Sequence, residues 1–328
     1  MEAIEIIGTG SYVPPLVVNN RDLSKIVDTS DEWISSRTGI KKRRISEGEN
    51  TSDLGAKAAI NALKNANIEA LDLDLIIVST ISPDQFMPST ACLIQDKIGA
   101  KNAVCFDISA ACSGFVYGIE IATNLMNGGK YQKALVIGAE VLSKILDWKD
   151  RSTCVLFGDG AGAAILSFGP GKGILHTKLG SDSEKWESLT CKSMALENPY
   201  LKEDVIKKEK NSNLKIAMNG KDIFKFAVNI IKLCIQEILE ETGYNIEDIK
   251  YVVPHQANLR IIEFAAKKLG VDVEKFYMNL SEYGNTSGAS VPIALDEMNR
   301  KGLLKKGDKI ILVAFGGGLT YGCSLIEW

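Results

Sequence analysis

Along most of the chain, short runs of apolar residues alternate with longer stretches in which apolar residues recur every three or four positions. The short runs predict strands, and the longer stretches predict amphipathic helices. The predicted strands are Ile4–Ile7, Leu75–Ser79, Ala103–Ile108, Ala134–Gly138, Ala161–Leu166, Tyr251–Pro254, Lys309–Phe315 and Cys323–Ile326. The predicted helices are Thr51–Asn65, Ser89–Ile98, Ser113–Met126, Gly220–Glu241, Leu259–Leu269 and Ser290–Lys301. Elements that alternate in this way are typical of an α/β fold.

The order of these elements occurs twice along the chain. Three pairs of landmarks lie 174 or 175 positions apart, namely Val78 and Val253, Ser113-Gly114 and Ser287-Gly288, and Val136 and Ile311. This spacing favours an internal duplication over the loose self-similarity of any α/β chain. It predicts two similar halves, residues 1–170 and 171–328. The polar stretch at about 181–213 interrupts the pattern and is predicted to be an inserted surface loop or cap.

Composition and charge exclude several classes of function. Of the 328 residues, 45% are hydrophobic and 24% are charged, and the net charge of −3 gives no global positive field for nucleic acid. No apolar run is long enough to cross a membrane. Seven cysteines without CxxC spacing and only two histidines predict no metal site, and they indicate free thiols in a reducing compartment. Because the N-terminus does not read as a signal peptide, we expect a cytoplasmic protein.

One cysteine lies where a predicted strand leads into a predicted helix. Cys112 is flanked by the small residues Ser109-Ala110-Ala111 and Ser113-Gly114, so backbone and substrate can approach the sulfur. The free N–H groups and partial positive charge of a helix N-terminus lower a thiol pKa and can hold an oxyanion. The pattern therefore indicates a nucleophilic Cys112, whereas the other cysteines are expected to be small buried residues.

Two polar residues of the second half extend this candidate site. His255 follows a predicted strand, at the edge of the sheet where α/β proteins bind ligands. Asn285 lies in the segment that corresponds to the Cys112 segment, so a duplication would bring the two residues together about a pseudo-twofold axis. The alternative explanations are a structural histidine and an asparagine in a turn that caps a helix.

Glycine-rich segments indicate where the backbone can approach a ligand closely. Gly316-Gly317-Gly318 follows a predicted strand and forms either a sharp turn or a ligand-binding backbone. Gly8-Thr9-Gly10 also follows a strand, but Pro14-Pro15 blocks the helix that a dinucleotide site requires. The sequence thus argues against nicotinamide binding, and it contains no Walker-type phosphate loop.

Together these segments resemble β-ketoacyl-acyl carrier protein synthase III, of the thiolase superfamily, over nearly the whole chain. The motifs that carry the resemblance are Trp33–Ile40, Asp107–Phe115, Phe157–Ala163, His255–Arg260, Gly284–Ser290 and Ala314–Gly318. The resemblance implies a thiolase-like five-layered αβαβα fold from two duplicated halves. It also implies a homodimer without a tightly bound cofactor, in which Cys112, His255 and Asn285 are catalytic.

The implied activity is the initiating condensation of type II fatty acid synthesis. Cys112 would take an acyl group from acyl-coenzyme A as a thioester, with its own backbone amide and that of Gly317 as the oxyanion hole. Decarboxylation of malonyl-acyl carrier protein would then supply an enolate that attacks the thioester. Neutral His255 and Asn285 would donate hydrogen bonds to the enolate oxygen, because both can donate without losing a proton.

The resemblance further implies binding contacts. Coenzyme A would meet Trp33, Arg37, Thr38 and Arg151. The acidic carrier protein would meet Lys225, Arg260, Lys267 and Lys268. Met87 stands where relatives carry a residue that shapes the primer pocket, so the length and branching of the primer stay open.

Two other functions are compatible with parts of this pattern. One is a related acyltransferase or condensing enzyme of specialised metabolism that uses another acceptor. The other is a non-catalytic subunit that only binds acyl carrier protein. Such a subunit needs no nucleophile, and here all three triad positions are occupied by the expected residue types.

Overall fold

The computed structural model describes residues 3–205 and 214–328, which form two large sheets and two small pairs of strands. The strands are β1 (Ala3–Tyr12), β2 (Val17–Asn19), β3 (Lys42–Arg44), β4 (Leu75–Ser79), β5 (Val104–Ile108), β6 (Lys133–Glu140), β7 (Gly160–Gly169), β8 (Gly173–Ser181), β9 (Leu189–Thr190), β10 (Ala217–Met218), β11 (Ile249–Pro254), β12 (Lys309–Gly316) and β13 (Thr320–Glu327). The helices are α1 (Asn20–Leu23), α2 (Asp31–Thr38), α3 (Thr51–Ala66), α4 (Thr90–Ile98), α5 (Gly114–Asn127), α6 (Gly220–Thr242), α7 (Leu259–Leu269), α8 (Leu280–Tyr283) and α9 (Ser290–Arg300). Every strand and helix predicted from the sequence is present; β4 and α7 have the predicted ends, and the ends of the others are shifted.

The two large sheets share one plan. The first has the order β1-β7-β6-β4-β5, and the second has the order β11-β12-β13-β8. In the first sheet β4 runs parallel to β5 and β6, whereas β7 is antiparallel to both of its neighbours. In the second sheet β11 is parallel to β12, and β13 is antiparallel to both of its neighbours. Each sheet is therefore mixed, with parallel strands at one edge and antiparallel strands at the other.

Three apolar clusters divide the molecule into five layers. The central cluster packs α5 and α9 between the two sheets. Helices α3 and α4 cover the outer face of the first sheet, and α6 and α7 cover the outer face of the second. In β4, Leu75 and Ile77 face the central helices, whereas Ile76 and Val78 face the outer ones. Because both faces are covered, the strand is a continuous apolar run. This arrangement confirms the predicted five-layered α/β fold.

The strand registers repeat between the two sheets with a single offset. Val78 of β4 pairs with Ile137 of β6, and Pro254 of β11 pairs with Val313 of β12. Both positions therefore recur 176 residues later, from 78 to 254 and from 137 to 313. The spacing is one or two residues longer than the sequence landmarks indicated.

The turns before the two central helices follow the same offset. Ala111 and Ser287 are 176 positions apart, and both have a positive φ, of 47° and 49°. Each begins a 3-10 turn that leads into α5 or α9. Cys112 therefore corresponds to Gly288 in the second half, whereas the sequence landmarks paired it with Thr286.

The segment at about 181–213 forms part of the wall beside the nucleophile segment. Its residues Leu189 and Thr190 make β9, which pairs with β10, and they line a cavity together with Cys191. Residues 206–213 of this predicted loop lie outside the described residues. The sequence pattern does not predict β8, because Thr177 and Lys178 interrupt its apolar run; β8 forms the edge of the second sheet beside β13.

Candidate active site

Cys112 lies on the 3-10 turn Ala111–Ser113, between β5 and α5. Ala111 opens the turn with φ 47°, in the left-handed region that costs a non-glycine residue about 1–3 kcal/mol. The Ser113 hydroxyl donates to the Ala110 carbonyl oxygen at 2.8 Å, which holds the turn closed. Gly316 approaches so closely that a Cβ there would lie 2.5 Å from the Cys112 nitrogen. Backbone from both halves thus holds the cysteine in a sharp turn.

The cysteine stands between two cavities. A cavity of about 430 Å³ is lined by Cys112, Ser287 and Gly317, with Leu189 of the cap segment on one side. A smaller cavity of about 110 Å³ is lined by Cys112, His255 and Asn285. The structure therefore brings the three predicted triad residues to one cavity, whereas Gly317 lines the other cavity beside Cys112.

His255 follows β11 directly, and both of its ring nitrogens can be assigned roles. Its Nδ1 lies 2.7 Å from the Ser290 hydroxyl oxygen, and that oxygen also accepts the Gln256 N–H at 3.3 Å. In the tautomer in which the Ser290 hydroxyl donates to Nδ1, the proton of the neutral ring lies on Nε2, which can donate. Complete burial lowers the pKa of His255 to about 3, so the ring is neutral at physiological pH.

Asn285 is held at the junction of the two halves. Its backbone N–H donates to the Leu156 carbonyl oxygen at 2.9 Å, and its own carbonyl oxygen accepts the Gly158 N–H at 3.0 Å. The side-chain Oδ1 accepts the Ser287 N–H at 2.8 Å. This bond orients the amide so that its NH₂ group is available to donate into the cavity.

The thiol pKa differs from the sequence-based expectation. Burial raises the pKa of Cys112 to about 12, against smaller opposing effects of a hydrogen-bonding contact with Ser287 and of the cysteine's own backbone. The negative charge of Glu140 raises it as well. The prediction of a lowered pKa is therefore wrong, because burial and the charge of Glu140 raise the pKa more than the Ser287 contact and the backbone of Cys112 lower it.

Sequence reasoning missed Glu140, which lies at the end of β6 and is fully buried. Its carboxylate accepts hydrogen bonds from Ser82 Oγ at 2.5 Å, Thr80 Oγ1 at 3.2 Å and the Ile81 backbone N–H at 3.2 Å. Burial raises the pKa of Glu140 to about 7 in spite of these bonds. The only sequence signal was an acidic residue that ends an otherwise apolar strand.

Three of the four predicted coenzyme A contacts form one cluster. The Trp33 ring has the Arg37 guanidinium carbon 4.9 Å from its centroid and the Arg151 guanidinium carbon 5.2 Å away. Thr38 is buried instead, and its hydroxyl donates to the Ile34 carbonyl oxygen at 2.7 Å. Its side chain is therefore occupied within α2.

The four predicted carrier-protein contacts are exposed residues of α6 and α7: Lys225, Arg260, Lys267 and Lys268. The two helices pack through Phe224 and Phe264, whose ring centroids are 5.6 Å apart, and Phe264 is 45% exposed. These basic residues and Phe264 share one surface, which we call the basic surface. It adjoins α2, because the Asn258 amide donates to the Arg37 carbonyl oxygen at 3.2 Å.

Met87 lies apart from this site. Its side chain is 82% exposed, and it is absent from the residues that line either cavity beside Cys112. Neighbouring Phe86 is 67% exposed, so the two residues form an apolar projection from the chain.

In residues 3–205 and 214–328, no group of three histidine, cysteine or acidic side chains is arranged to hold a metal ion. Within the same residues, no helix has the length and apolar character needed to cross a bilayer.

Comparisons with known proteins identify the family. A model of 3-oxoacyl-[acyl-carrier-protein] synthase III matches residues 106–183, and a model of the C-terminal part of that family matches residues 239–328. The chain is 58% identical to the β-ketoacyl-[acyl-carrier-protein] synthase III of Clostridium acetobutylicum, over 100% of this chain and 99% of the relative.

Solved structures agree with the sequence relatives. The crystal structure of 3-oxoacyl-[acyl-carrier-protein] synthase III from Aquifex aeolicus covers 99% of this chain and 100% of its own, with 46% identity and a TM-score of 0.92. A priming β-ketosynthase of a polyketide biosynthetic pathway covers 99% of this chain and 96% of its own, with 34% identity and a TM-score of 0.91. The chain therefore belongs to the 3-oxoacyl-[acyl-carrier-protein] synthase III family, and it is a condensing acyltransferase.

Proposed function

We propose that this chain catalyses the initiating step of fatty acid synthesis, in which an acyl group from acyl-coenzyme A is joined to malonyl-acyl carrier protein with loss of carbon dioxide. The observation that carries the proposal is the cavity shared by Cys112, His255 and Asn285. It unites a nucleophile with two neutral hydrogen-bond donors, which is what acyl transfer followed by decarboxylation requires.

In the first step the Cys112 thiolate attacks the acyl-coenzyme A carbonyl carbon, and the coenzyme A thiolate leaves. The backbone N–H groups of Cys112 and Gly317 are the proposed donors to the oxygen of the tetrahedral intermediate. Gly317 lines the larger cavity next to the sulfur, which supports this role. The same cavity, of about 430 Å³, supplies room for the acyl chain.

In the second step decarboxylation of the malonyl group generates an enolate, and no base has to remove a C–H proton. His255 suits this step because it is neutral, and in the tautomer that accepts the Ser290 hydroxyl at Nδ1 its Nε2 carries a proton to donate. Asn285 suits it because its Oδ1 is already bonded to Ser287, which leaves the NH₂ group to donate. The enolate carbon then attacks the Cys112 thioester and releases the β-ketoacyl product.

The proposed substrate surfaces adjoin one another. Trp33 between Arg37 and Arg151 is suited to a flat adenine ring, because guanidinium groups stack on aromatic faces. The buried Thr38 contributes to the shape of α2 rather than a side-chain contact. The basic surface offers an acidic carrier protein complementary charge and one exposed aromatic side chain. The hydrogen bond from Asn258 to Arg37 joins the two surfaces.

The active form is proposed to be a homodimer. β5 is the edge strand of the first sheet, and Val104 on it is 49% exposed. Phe86 and Met87, in the segment that precedes α4, are also exposed apolar side chains. An uncovered edge strand with exposed apolar residues is a pairing surface. Dimerisation would bring Met87 of each chain towards the partner, where it would act on the primer pocket.

The chain is proposed to consist of two halves and to work in the cytoplasm without a tightly bound cofactor. The large sheets draw their strands from residues 3–169 and 173–327, which supports halves of 1–170 and 171–328. All seven cysteines are unpaired, as suits a reducing cytoplasm. The site chemistry needs no tightly bound cofactor, because coenzyme A enters as a substrate.

The test is to incubate the protein with acetyl-coenzyme A and to map the acetylated peptide. We expect acetyl on Cys112 and its loss in Cys112→Ala. Cys191→Ala is the matched control, because Cys191 is the other thiol that lines the larger cavity. Acetylation that persists in Cys112→Ala and disappears in Cys191→Ala would refute the assignment of the nucleophile.

Two further measurements examine the condensation. In His255→Ala, decarboxylation of malonyl-acyl carrier protein should collapse while Cys112 is still acetylated; unchanged decarboxylation would remove His255 from the enolate step. A panel of acetyl-, branched and longer acyl-coenzyme A primers with malonyl-acyl carrier protein should give β-ketoacyl products. Acyl transfer without carbon–carbon bond formation would favour the acyltransferase of specialised metabolism.

A further inference from the structure

Two short turns supply the proposed oxyanion hole, one from each half of the chain. The cysteine turn, Ala111–Ser113, follows β5, and the glycine turn, Gly317–Leu319, joins β12 to β13. The two proposed donors, the N–H groups of Cys112 and Gly317, therefore belong to segments that lie far apart in the sequence. Two donors stabilise an oxyanion together only when both lie within hydrogen-bond distance of the same oxygen atom. The distance between the two turns must therefore be fixed.

Two hydroxyl groups join these turns. The Ser113 hydroxyl lies 2.8 Å from the Ala110 carbonyl oxygen and 2.8 Å from the Thr320 hydroxyl oxygen. The Thr320 hydroxyl lies 2.9 Å from the same Ala110 oxygen and 3.1 Å from the Gly317 carbonyl oxygen. Each hydroxyl has one proton, so two protons are shared among these four contacts. The Thr320 oxygen thus contacts a backbone carbonyl group at each turn.

Both anchored carbonyl groups are next to a proposed donor. The Ala110 carbonyl belongs to the peptide group just before the one that contains the Cys112 N–H. The Gly317 carbonyl belongs to the peptide group just after the one that contains the Gly317 N–H. Because peptide groups are planar, only the φ and ψ angles of Ala111 or Gly317 separate each carbonyl from its donor. Ala111 has φ 47°, a conformation that persists only where the surroundings hold it.

We propose that Thr320 is a positioning residue for the oxyanion hole. Its hydroxyl fixes the cysteine turn to the glycine turn and so sets the distance between the N–H groups of Cys112 and Gly317. Thr320 acts through the backbone of both turns rather than on the substrate, and the completely buried Ser113 hydroxyl supports it from the side of the cysteine turn. The proposal rests on the proposed roles of Cys112 and Gly317 in acyl transfer.

A purely structural role for the two hydroxyl groups has a different consequence. If they only satisfied buried carbonyl groups, their loss would loosen the whole site and change every reaction of Cys112. A change confined to the distance between the donors affects only reactions that form an oxyanion. Alkylation by iodoacetamide displaces iodide at a saturated carbon and forms no oxyanion. It therefore reports the reactivity of the thiol independently of the oxyanion hole.

The experiment measures two rates at Cys112 for each variant, both by peptide mapping: single-turnover acetylation by saturating acetyl-coenzyme A, and alkylation by iodoacetamide. Thr320→Val keeps the shape of the side chain and removes the hydroxyl. We expect it to lower the acetylation rate about tenfold to a hundredfold and to leave alkylation within about twofold of the wild type. Thr320→Ser restores the hydroxyl and should return acetylation to within about threefold of the wild type.

Ser113→Ala is the second variant and should also lower the acetylation rate. The double variant with Thr320→Val should be no slower than the slower single variant, because both changes interrupt one link. Thr177→Val is the matched control, because its hydroxyl oxygen lies 2.9 Å from that of Ser324 in a pair of β8 and β13. This control should leave both rates unchanged.

A wild-type acetylation rate in Thr320→Val, or equal losses of acetylation and alkylation, overturns the proposal. Absence of acetyl from Cys112 of the wild type would overturn the proposed function as well, so the two failures are distinguishable. Circular dichroism verifies that each variant is folded, and Ser113→Ala keeps the test decisive if Thr320→Val is not.

Discussion

The buried carboxyl of Glu140 should make the stability of the protein depend on pH. Its pKa rises from 4.5 in a solvated chain to about 7 in the fold, because burial disfavours the charged form. The folded protein therefore holds this proton more tightly than the unfolded chain. The stabilisation is fully present below pH 4.5, and it is lost as pH rises towards 7. A difference of this size corresponds to about 3 kcal/mol.

The perturbation is Glu140→Gln, which removes the titration and keeps the volume. His255 contributes with the opposite sign, because its pKa is lowered to about 3 and the unfolded chain binds that proton first as pH falls. The two effects overlap between pH 4.5 and pH 6.5, so the pH dependence of the wild type alone does not isolate Glu140. The difference between variant and wild type cancels the histidine and isolates Glu140.

The assay is urea unfolding, followed by tryptophan fluorescence, at pH 5 and pH 8 and at one protein concentration. The free energy of unfolding of Glu140→Gln, relative to that of the wild type, should increase by about 2–3 kcal/mol from pH 5 to pH 8, because only the wild type loses stability over this range. Ser79→Ala removes a buried hydroxyl group but no titrating group, so its free energy of unfolding should differ from that of the wild type by the same amount at both pH values. A variant whose difference from the wild type stays constant within about 0.5 kcal/mol would refute the reasoning, because Glu140 would then not titrate in this range.

Three further changes have defined outcomes. Gly316→Ala places a Cβ 2.5 Å from the Cys112 nitrogen and should lower condensing activity about a hundredfold or more. Gly128→Ala, at the exposed end of α5, is the control and should not lower it. Equal activities of the two variants would argue against a role of the Gly316 backbone in the oxyanion hole. Trp33→Ala removes both ring–guanidinium contacts and should raise KM for acetyl-coenzyme A about tenfold with little change in kcat; an unchanged KM would place the adenine elsewhere. Lys268→Glu should weaken the use of acyl carrier protein more at low than at high salt, without affecting acetylation of the nucleophile, and an effect independent of salt would contradict a charge-based contact.

The pKa of the nucleophile shows where local sequence reasoning stops. The strand–turn–helix pattern around Cys112 is visible in the sequence, and so is the partial charge of the helix that follows. The environment of the sulfur is not local, since Glu140 and Ser287 reach it from β6 and from the other half of the chain. Burial then reverses the sign of the pKa shift that the helix alone would produce.

The direction in which a side chain points explains the differences at Thr38 and Met87. Thr38 belongs to the same motif as Trp33 and Arg37, but its hydroxyl is turned into α2 and bonds to Ile34. Met87 was expected at the primer pocket, but its side chain is exposed and lines neither cavity beside Cys112. A motif states which residue types recur together, and it does not state which side of a helix or which subunit each side chain serves.

The apolar periodicity of the sequence by itself predicted the strands of the two large sheets other than β8, the six longest helices and the repetition of one half in the other, because these depend on which faces must be buried. The local motifs indicated Cys112 as a nucleophile, and the family resemblance implied the roles of His255 and Asn285. Only the tertiary structure decided that the halves repeat every 176 residues, that the three residues share one cavity, and that Glu140 stands behind the thiol. The physical reason is that desolvation and electrostatic interaction depend on separation in space, which the fold alone sets.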